Sequence, residues 1–192
     1  MNKIQCDGVD FIFDSSNLPL LIHGENKAGA SLFTVTVAAN LFAQGEKIIF
    51  LSGYPMAREE FFKQVGVNQQ VPFFIKDELS QFIEAIKNSP DIKERIIIIK
   101  NVELFSEEIF DLVSSFPKII ISGDINQCSF KSEILDMTFN SKVFFSPLEN
   151  TQLPELEKYQ GFLESGSKTG KVSVFQQGES LLGSNLFMKE NL

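Results

Sequence analysis

Two glycines and a serine stand at a spacing that suits phosphate binding. Residues 24–31 read G-E-N-K-A-G-A-S, and the phosphate-binding pattern is G-x-x-x-x-G-K-[ST] between a strand and a helix. Both glycines and Ser31 fall in register, while Ala30 replaces the lysine. Backbone N–H groups of such a loop, together with a helix N-terminus, can hold phosphate oxygens. The segment therefore predicts an anion site that lacks its usual point charge.

The whole loop is the predicted nucleotide-binding segment: Gly24, Glu25, Asn26, Lys27, Ala28, Gly29, Ala30 and Ser31. The hydroxyl of Ser31 is also a candidate ligand for a magnesium ion. Lys27 is an alternative source of positive charge inside the loop. The competing interpretation is that the two glycines only form a tight turn between a strand and a helix.

The elements that must position this loop alternate between short apolar runs and stretches of helical period. Strands are predicted at 18–22, 47–51, 95–99 and 118–121, all parallel, and at 10–14, 71–75, 142–146 and 170–175, the last antiparallel at the edge. Helices are predicted at 29–44, 55–65, 78–87, 106–115, 131–137 and 154–164. The apolar face of the first helix contains Leu32, Val35, Ala38, Ala39 and Phe42.

Strands that alternate with helices imply right-handed crossovers and a mainly parallel sheet. The sequence therefore predicts an α/β fold, a three-layer sandwich with a mainly parallel central sheet. We expect a single domain at 1–176, with an N-terminal edge strand at 1–16 and a C-terminal tail at 177–192. Ligands bind at the carboxyl ends of parallel strands, so the residues that follow the strands are site candidates.

Two segments resemble the start of a RecA-like P-loop ATPase domain, of the kind seen in KaiC and RadA proteins. They are 20–31, L-L-I-H-G-E-N-K-A-G-A-S, and 44–53, Q-G-E-K-I-I-F-L-S-G. The order of helices and strands is similar to that of this family over about residues 18–176. The resemblance implies a RecA-like P-loop NTPase fold, ATP and Mg²⁺ as cofactors, and a site at a subunit boundary.

The sequence departs from this family where an active member places charged groups. The strand at 95–99 would end in a carboxylate that holds magnesium, but Lys100 and Asn101 follow it. No carboxylate follows the strand at 47–51 until Glu59, and Glu103 is expected on a solvated loop. Each lost charged group typically reduces phosphoryl transfer by about 10²–10⁴-fold. With the loop lysine also absent, hydrolysis should approach background, and no catalytic residue is assigned.

Three residues form a possible second part of the site. Lys100 offers positive charge, Asn101 offers an amide, and Ser122 ends a strand where related ATPases sense the terminal phosphate. These assignments follow from the resemblance and from their positions after predicted strands.

The sequence thus predicts a degenerate P-loop ATPase-like protein, a nucleotide-binding or regulatory and structural subunit with little hydrolysis. The expected partner is a protein, either an active ATPase subunit or a second copy, in DNA processing or transport. One alternative is a divergent but active ATPase that uses Lys27 or Lys100. The other is a scaffold module that binds no nucleotide.

Composition limits the remaining function classes. The chain has 192 residues, 17 Lys and Arg against 25 Asp and Glu, and a formal net charge of −8, which argues against direct nucleic-acid binding. No apolar run reaches the roughly 20 residues that span a bilayer, and no signal peptide is visible, so we expect a cytoplasmic protein. The 20 Phe residues include the pairs at 61–62 and 73–74. Either one ring of these pairs is exposed in the monomer and covered by a partner, or both faces are buried within the monomer under the neighbouring helix and sheet.

Overall fold

One sheet runs through the whole molecule. The computed structural model describes residues 2–25, 27–66, 71–149 and 151–175. Their strands are β1 (Lys3–Cys6), β2 (Val9–Phe11), β3 (Leu20–His23), β4 (Ile48–Ser52), β5 (Phe73–Ile75), β6 (Ile96–Lys100), β7 (Ile119–Gly123), β8 (Ser141–Phe144), β9 (Gly161–Ser165) and β10 (Lys168–Phe175). Their helices are α1 (Ala30–Ala43), α2 (Met56–Val65), α3 (Leu79–Asn88), α4 (Glu107–Ser114) and α5 (Lys131–Asp136). The predicted tail at 177–192 lies outside the described residues.

The sheet order is β2-β1-β10-β9-β8-β3-β7-β6-β4-β5. The six strands from β8 to β5 are parallel to their neighbours, whereas the pairs among β8, β9, β10, β1 and β2 are antiparallel. The prediction that β3, β4, β6 and β7 lie parallel in one sheet is confirmed. Their continuous apolar sequences fit because both faces of these strands are covered.

Helices cover both faces of the parallel strands. On β6, Ile96 and Ile98 pack with α1 and α2, while Ile97 and Ile99 pack with α3 and α4. This alternation follows from the two-residue period of a strand. The predicted three-layer α/β sandwich with a mainly parallel central sheet is therefore confirmed.

Helix α1 is enclosed on most of its surface. Its buried residues are Ala30, Phe33, Thr34, Val35, Thr36, Val37, Ala38, Ala39 and Leu41. The sheet and α2 pack against it, and β1 and β10 contact it as well. Leu32, predicted on the buried face, is 41% exposed. The helical period could not reveal this, because it assumes a helix with one wet face.

The prediction of a helix at 154–164 is wrong. Residues 151–157 form no regular element, and the second half of the segment is β9. Tyr159 has a positive φ of 65°, which ends any helical course there. Strand β9 then pairs with both β8 and β10. Sheet pairing thus overrides the helix propensity of the Glu, Leu and Lys residues in this segment.

The two ends of the described chain pair with each other. β10 was predicted at the edge, but it lies between β9 and β1. The edge belongs to β2, which forms a hairpin with β1. A strand at the N-terminal edge is therefore confirmed, whereas its bounds of 10–14 and the edge position of β10 are wrong.

Of the two alternatives for the phenylalanine pairs, the structure favours burial within the monomer. Phe61 and Phe73 are buried, and Phe62 and Phe74 are half-buried. Phe73 stacks on Phe50 with ring centroids 4.2 Å apart, whereas Phe74 faces α3. The adjacent rings do point to opposite sides of β5, as expected, but α2 and α3 cover both sides.

Candidate functional site

The loop after β3 closes tightly on the first turn of α1. The Gly24 N–H donates to the Gly123 carbonyl at 3.1 Å, which ties the loop to β7. A Cβ on Gly24 would lie 2.8 Å from the Cβ of Ala30 and 2.9 Å from that of Phe145. Only glycine fits there, because real Cβ atoms do not approach so closely. The requirement for glycine at this turn is therefore steric.

The loop backbone leaves the N-terminus of α1 open. Gly29 is the N-cap residue, with φ of 111°, and no side chain caps the helix. Lys27 also has a positive φ, 68°. The first N–H groups of an α-helix have no partner within the helix, so those of α1 are available to an anion. Ala30 is buried and Ser31 is exposed at this end, while Asn26 lies outside the described residues.

Two loop N–H groups are already used. Ala28 donates to the Glu25 carbonyl at 3.1 Å, and the Glu25 N–H donates to Ser146 Oγ at 3.0 Å. Glu25 itself is exposed. These bonds shape the loop, so Glu25 and Ala28 support its geometry through their backbone rather than offer their own N–H groups.

His23 anchors the base of the loop. It is fully buried, and its Nδ1 accepts from the Ile125 N–H at 3.1 Å. Its Nε2 lies 3.3 Å from Ser146 Oγ. Burial lowers the pKa of His23, and the carboxylates of Asp124 and Glu25 oppose this shift. A neutral imidazole therefore joins the ends of β3, β7 and β8.

A polar row crosses the carboxyl ends of three neighbouring strands. In the sheet register Ser52 pairs with Lys100, and Lys100 pairs with Ser122. Lys100 follows Ile96 and Ile98 on the side of the sheet that α1 covers. The Ser122 hydroxyl lies 2.6 Å from Thr34 Oγ1, and Thr34 donates to the Ala30 carbonyl at 2.7 Å. The row thus reaches the first turn of α1 and the loop, but Ser122 is engaged with Thr34.

Lys100 is a buried cation with few partners. Lys100 is 3% exposed, and its Nζ donates to Asn101 Oδ1 at 2.7 Å. Burial lowers the pKa of Lys100 to about 8, an effect that the nearby Glu103 carboxylate opposes. Asn101 has a left-handed backbone, with φ of 62°, which turns its amide back toward the lysine.

Glu103 is half-buried rather than on a solvated loop, so that expectation is wrong. Its Oε2 accepts from the Asp124 N–H at 3.0 Å. A Cβ on Gly123 would lie 2.1 Å from the same oxygen, so the glycine admits the carboxylate. No sequence signal pointed to this contact, because it depends on the distance between the ends of β6 and β7.

The loop leaves the N-terminus of α1 without a side-chain cap, and the surrounding side chains do not fit a magnesium ion. Magnesium prefers oxygen ligands and is usually held by carboxylates. Ser31 offers an exposed hydroxyl, and the carboxylate of Glu103, which follows β6, accepts from the Asp124 N–H. The strand end that faces α1 carries the buried ammonium of Lys100. The part of the chain that the structure describes contains no group of three or more His, Cys, Asp or Glu side chains arranged for a metal.

Among the described helices, none has the length and apolarity to span a bilayer.

No protein-family model matches the sequence, and no curated protein does. Solved structures do match the fold. The cytoplasmic domain of EssC matches with a TM-score of 0.57 and 15% identity over 82% of this chain. EssC (ATPases 2 and 3) from Geobacillus thermodenitrificans matches with a TM-score of 0.53 and 14% identity over 82% of this chain. The cytoplasmic domain of the Thermomonospora curvata type VII secretion ATPase EccC matches with a TM-score of 0.54 and 10% identity over 91% of this chain.

At these identities the similarity shows the fold alone, which this chain shares with structures that include ATPase domains. The chain spans 38%, 36% and 26% of the length of these three structures.

Proposed function

We propose that this chain is a degenerate RecA-like P-loop domain that binds nucleotide at the 24–31 loop and hydrolyses it little or not at all. It acts as a regulatory or structural subunit beside another protein. The setting that we propose is a transport or DNA-processing assembly, since one structure of similar fold is named a type VII secretion ATPase.

The observation that carries this proposal is the buried Lys100 at the end of β6, on the face of the sheet that α1 covers. The open N-terminus of α1 and the two positive-φ residues keep the anion-binding geometry. The strand end that would hold a metal carboxylate instead carries a cation that is 3% exposed. Retained phosphate geometry supports binding, and the replaced charge supports slow chemistry, because phosphoryl transfer depends mainly on positioning and electrostatics.

The surface around the loop supports a protein partner. Four of the exposed large apolar or aromatic side chains lie at this edge: Leu32, Tyr54, Met56 and Tyr159. Leu32 and Met56 are in the first turns of α1 and α2, and the Tyr159 backbone packs against Gly29. We propose that these side chains contact the protein partner.

Two measurements test the proposal. Calorimetric titration with ATP should show binding, and a turnover assay with ATP and magnesium should show no release of phosphate above background. Turnover of about 1 per second, an ordinary enzyme rate, would contradict the pseudoenzyme and favour a divergent ATPase.

A matched pair of glycine variants assigns the binding to the loop. Gly29 and Gly45 both have a positive φ, but a Cβ on Gly29 would meet Tyr159 and Phe145 within 3.2 Å, and one on Gly45 would meet nothing within 4 Å. Both substitutions to alanine carry the cost of a left-handed residue. We expect Gly29→Ala to weaken ATP binding and Gly45→Ala to leave it unchanged. Equal changes in ATP affinity for the two variants would show that ATP binds elsewhere than at the loop.

A further inference from the structure

The side chains around the loop do not fit a magnesium ion, and the inference drawn from this mismatch rests on the proposed function. We propose that the ammonium of Lys100 takes the place of the divalent cation, so that the 24–31 loop binds the phosphates of a nucleotide without a metal. Lys100 is then a binding residue for the polyphosphate.

The position of Lys100 supports this assignment. It lies at the carboxyl end of β6 and is the register partner of Ser122 on β7. Ser122 in turn contacts Thr34, which bonds to the carbonyl of Ala30. Lys100 therefore projects from the strand next to the one that contacts the first turn of α1, on the same face of the sheet.

The carboxylate of Glu103 lies near the ammonium of Lys100, and the donors of Nζ that no acceptor in the described part of the chain engages leave room for a second anionic partner. An ammonium carries three donors, and among the described residues Nζ has one acceptor, Asn101 Oδ1. A buried cation with so few partners is costly, so the protein gains from a ligand that supplies more acceptors. Phosphate oxygens are such acceptors, and bonds from an ammonium to them are strong because both groups are charged.

The charge also explains why the metal is dispensable. A lysine that is 3% exposed cannot turn its charge toward solvent, and a divalent cation placed beside it would be repelled. The ammonium and the metal would serve the same purpose, which is to neutralise the phosphates. The arrangement therefore favours a nucleotide free of magnesium.

The experiment is a calorimetric titration of the full chain with ATP, once in buffer with magnesium and once with EDTA. We expect the wild-type affinity to be equal or higher in EDTA. Lys100→Met, which keeps the length of the side chain and removes the charge, should weaken binding at least tenfold in EDTA. Lys93→Met removes the same charge from an exposed residue just before the amino end of β6, and should leave the ATP affinity unchanged.

The outcomes separate this inference from the proposed function. Binding that requires magnesium, or a Lys100→Met protein that binds as the wild type does, overturns the role of Lys100 and leaves nucleotide binding intact. An absence of binding in both buffers overturns both proposals. Thermal unfolding of Lys100→Met controls for folding, and the midpoint should not fall, because the change removes a buried charge.

Discussion

Ala30 sits where the phosphate-binding pattern has its lysine, and its surroundings explain how the loop persists without that charge. The residue is 4% exposed, and its Cβ faces the Cα of Gly24. The small side chain of Ala30 and the absence of a Cβ on Gly24 let the loop approach α1 closely, and backbone hydrogen bonds hold the loop in place. Loop geometry and loop charge are therefore separable in this protein, and the backbone part is the one retained.

Ala30→Lys should restore part of the missing charge. We expect it to raise ATP affinity by about 1.5–3 kcal/mol, the value of a hydrogen bond to a charged group. It should not produce turnover, because Lys100 and the missing carboxylates are unchanged. Calorimetry measures the first effect and phosphate release the second. Fast hydrolysis by this single variant would contradict the view that the missing metal carboxylate and the missing general base also prevent turnover.

Lys100 should cost the protein stability at neutral pH. Its pKa is lowered from 10.5 to about 8, so between these values the unfolded chain binds more protons than the folded one. The free energy of unfolding should therefore rise as the pH rises from 8 to 10.5, and the full penalty applies below 8. Asn101 accepts from the ammonium and Glu103 attracts it, which limits the penalty.

Lys100→Met should remove that penalty. We expect its free energy of unfolding to exceed that of the wild type by about 1–3 kcal/mol at pH 7, with the difference shrinking toward pH 10. Urea unfolding at pH 7, 8.5 and 10 measures it. A variant less stable than the wild type at every pH would show that the lysine is held by favourable contacts.

At the scale of elements, α1 shows what periodicity can and cannot predict. The helix, its start near the glycine loop and most of its apolar residues were predicted correctly. Its enclosure was not, because β1 and β10 come from the distant ends of the described chain. The segment at 154–164 failed for a related reason, since its pairing partners are not local. A tight turn at Gly24 was one of the two interpretations of the loop, whereas its close approach to Ala30 and Phe145 and the Glu103 contact were not predicted.

Two leucines of α1 test this enclosure. Leu41 is fully buried and Leu32 is 41% exposed, although both are apolar residues of the same helix. Leu41→Ala should lower the free energy of unfolding by about 2–5 kcal/mol. Leu32→Ala should lower it by less than about 1 kcal/mol. Denaturant titration compares the two directly, and similar losses would mean that the first turn of α1 is covered in solution.

At the scale of the molecule, the exposed apolar side chains around the loop replace the phenylalanine pairs as the basis for association. Met56 is 77% exposed at the start of α2, and Val9 is 70% exposed on the edge strand β2. Neither residue contributes much to the core, so both can be replaced by a charge without loss of folding.

Met56→Glu should weaken self-association, while Val9→Glu should not. We expect light scattering of the wild type to give a mass above the 21.6 kDa of one chain, since an apolar rim favours a second copy. Met56→Glu should move this mass toward that of a monomer. A wild-type protein that stays monomeric at high concentration would exclude a second copy as the partner.

The pairing of β1 with β10 has a consequence for how the protein folds. Lys3 pairs with Phe175, so this contact closes a loop of about 170 residues, which is slow to form by chance. During synthesis on the ribosome, the β1–β2 hairpin emerges well before β10 and must wait for its pairing partner. An isolated hairpin is marginally stable in water. We therefore expect the N-terminal hairpin to dock last, and the nascent chain to expose α1 until it does.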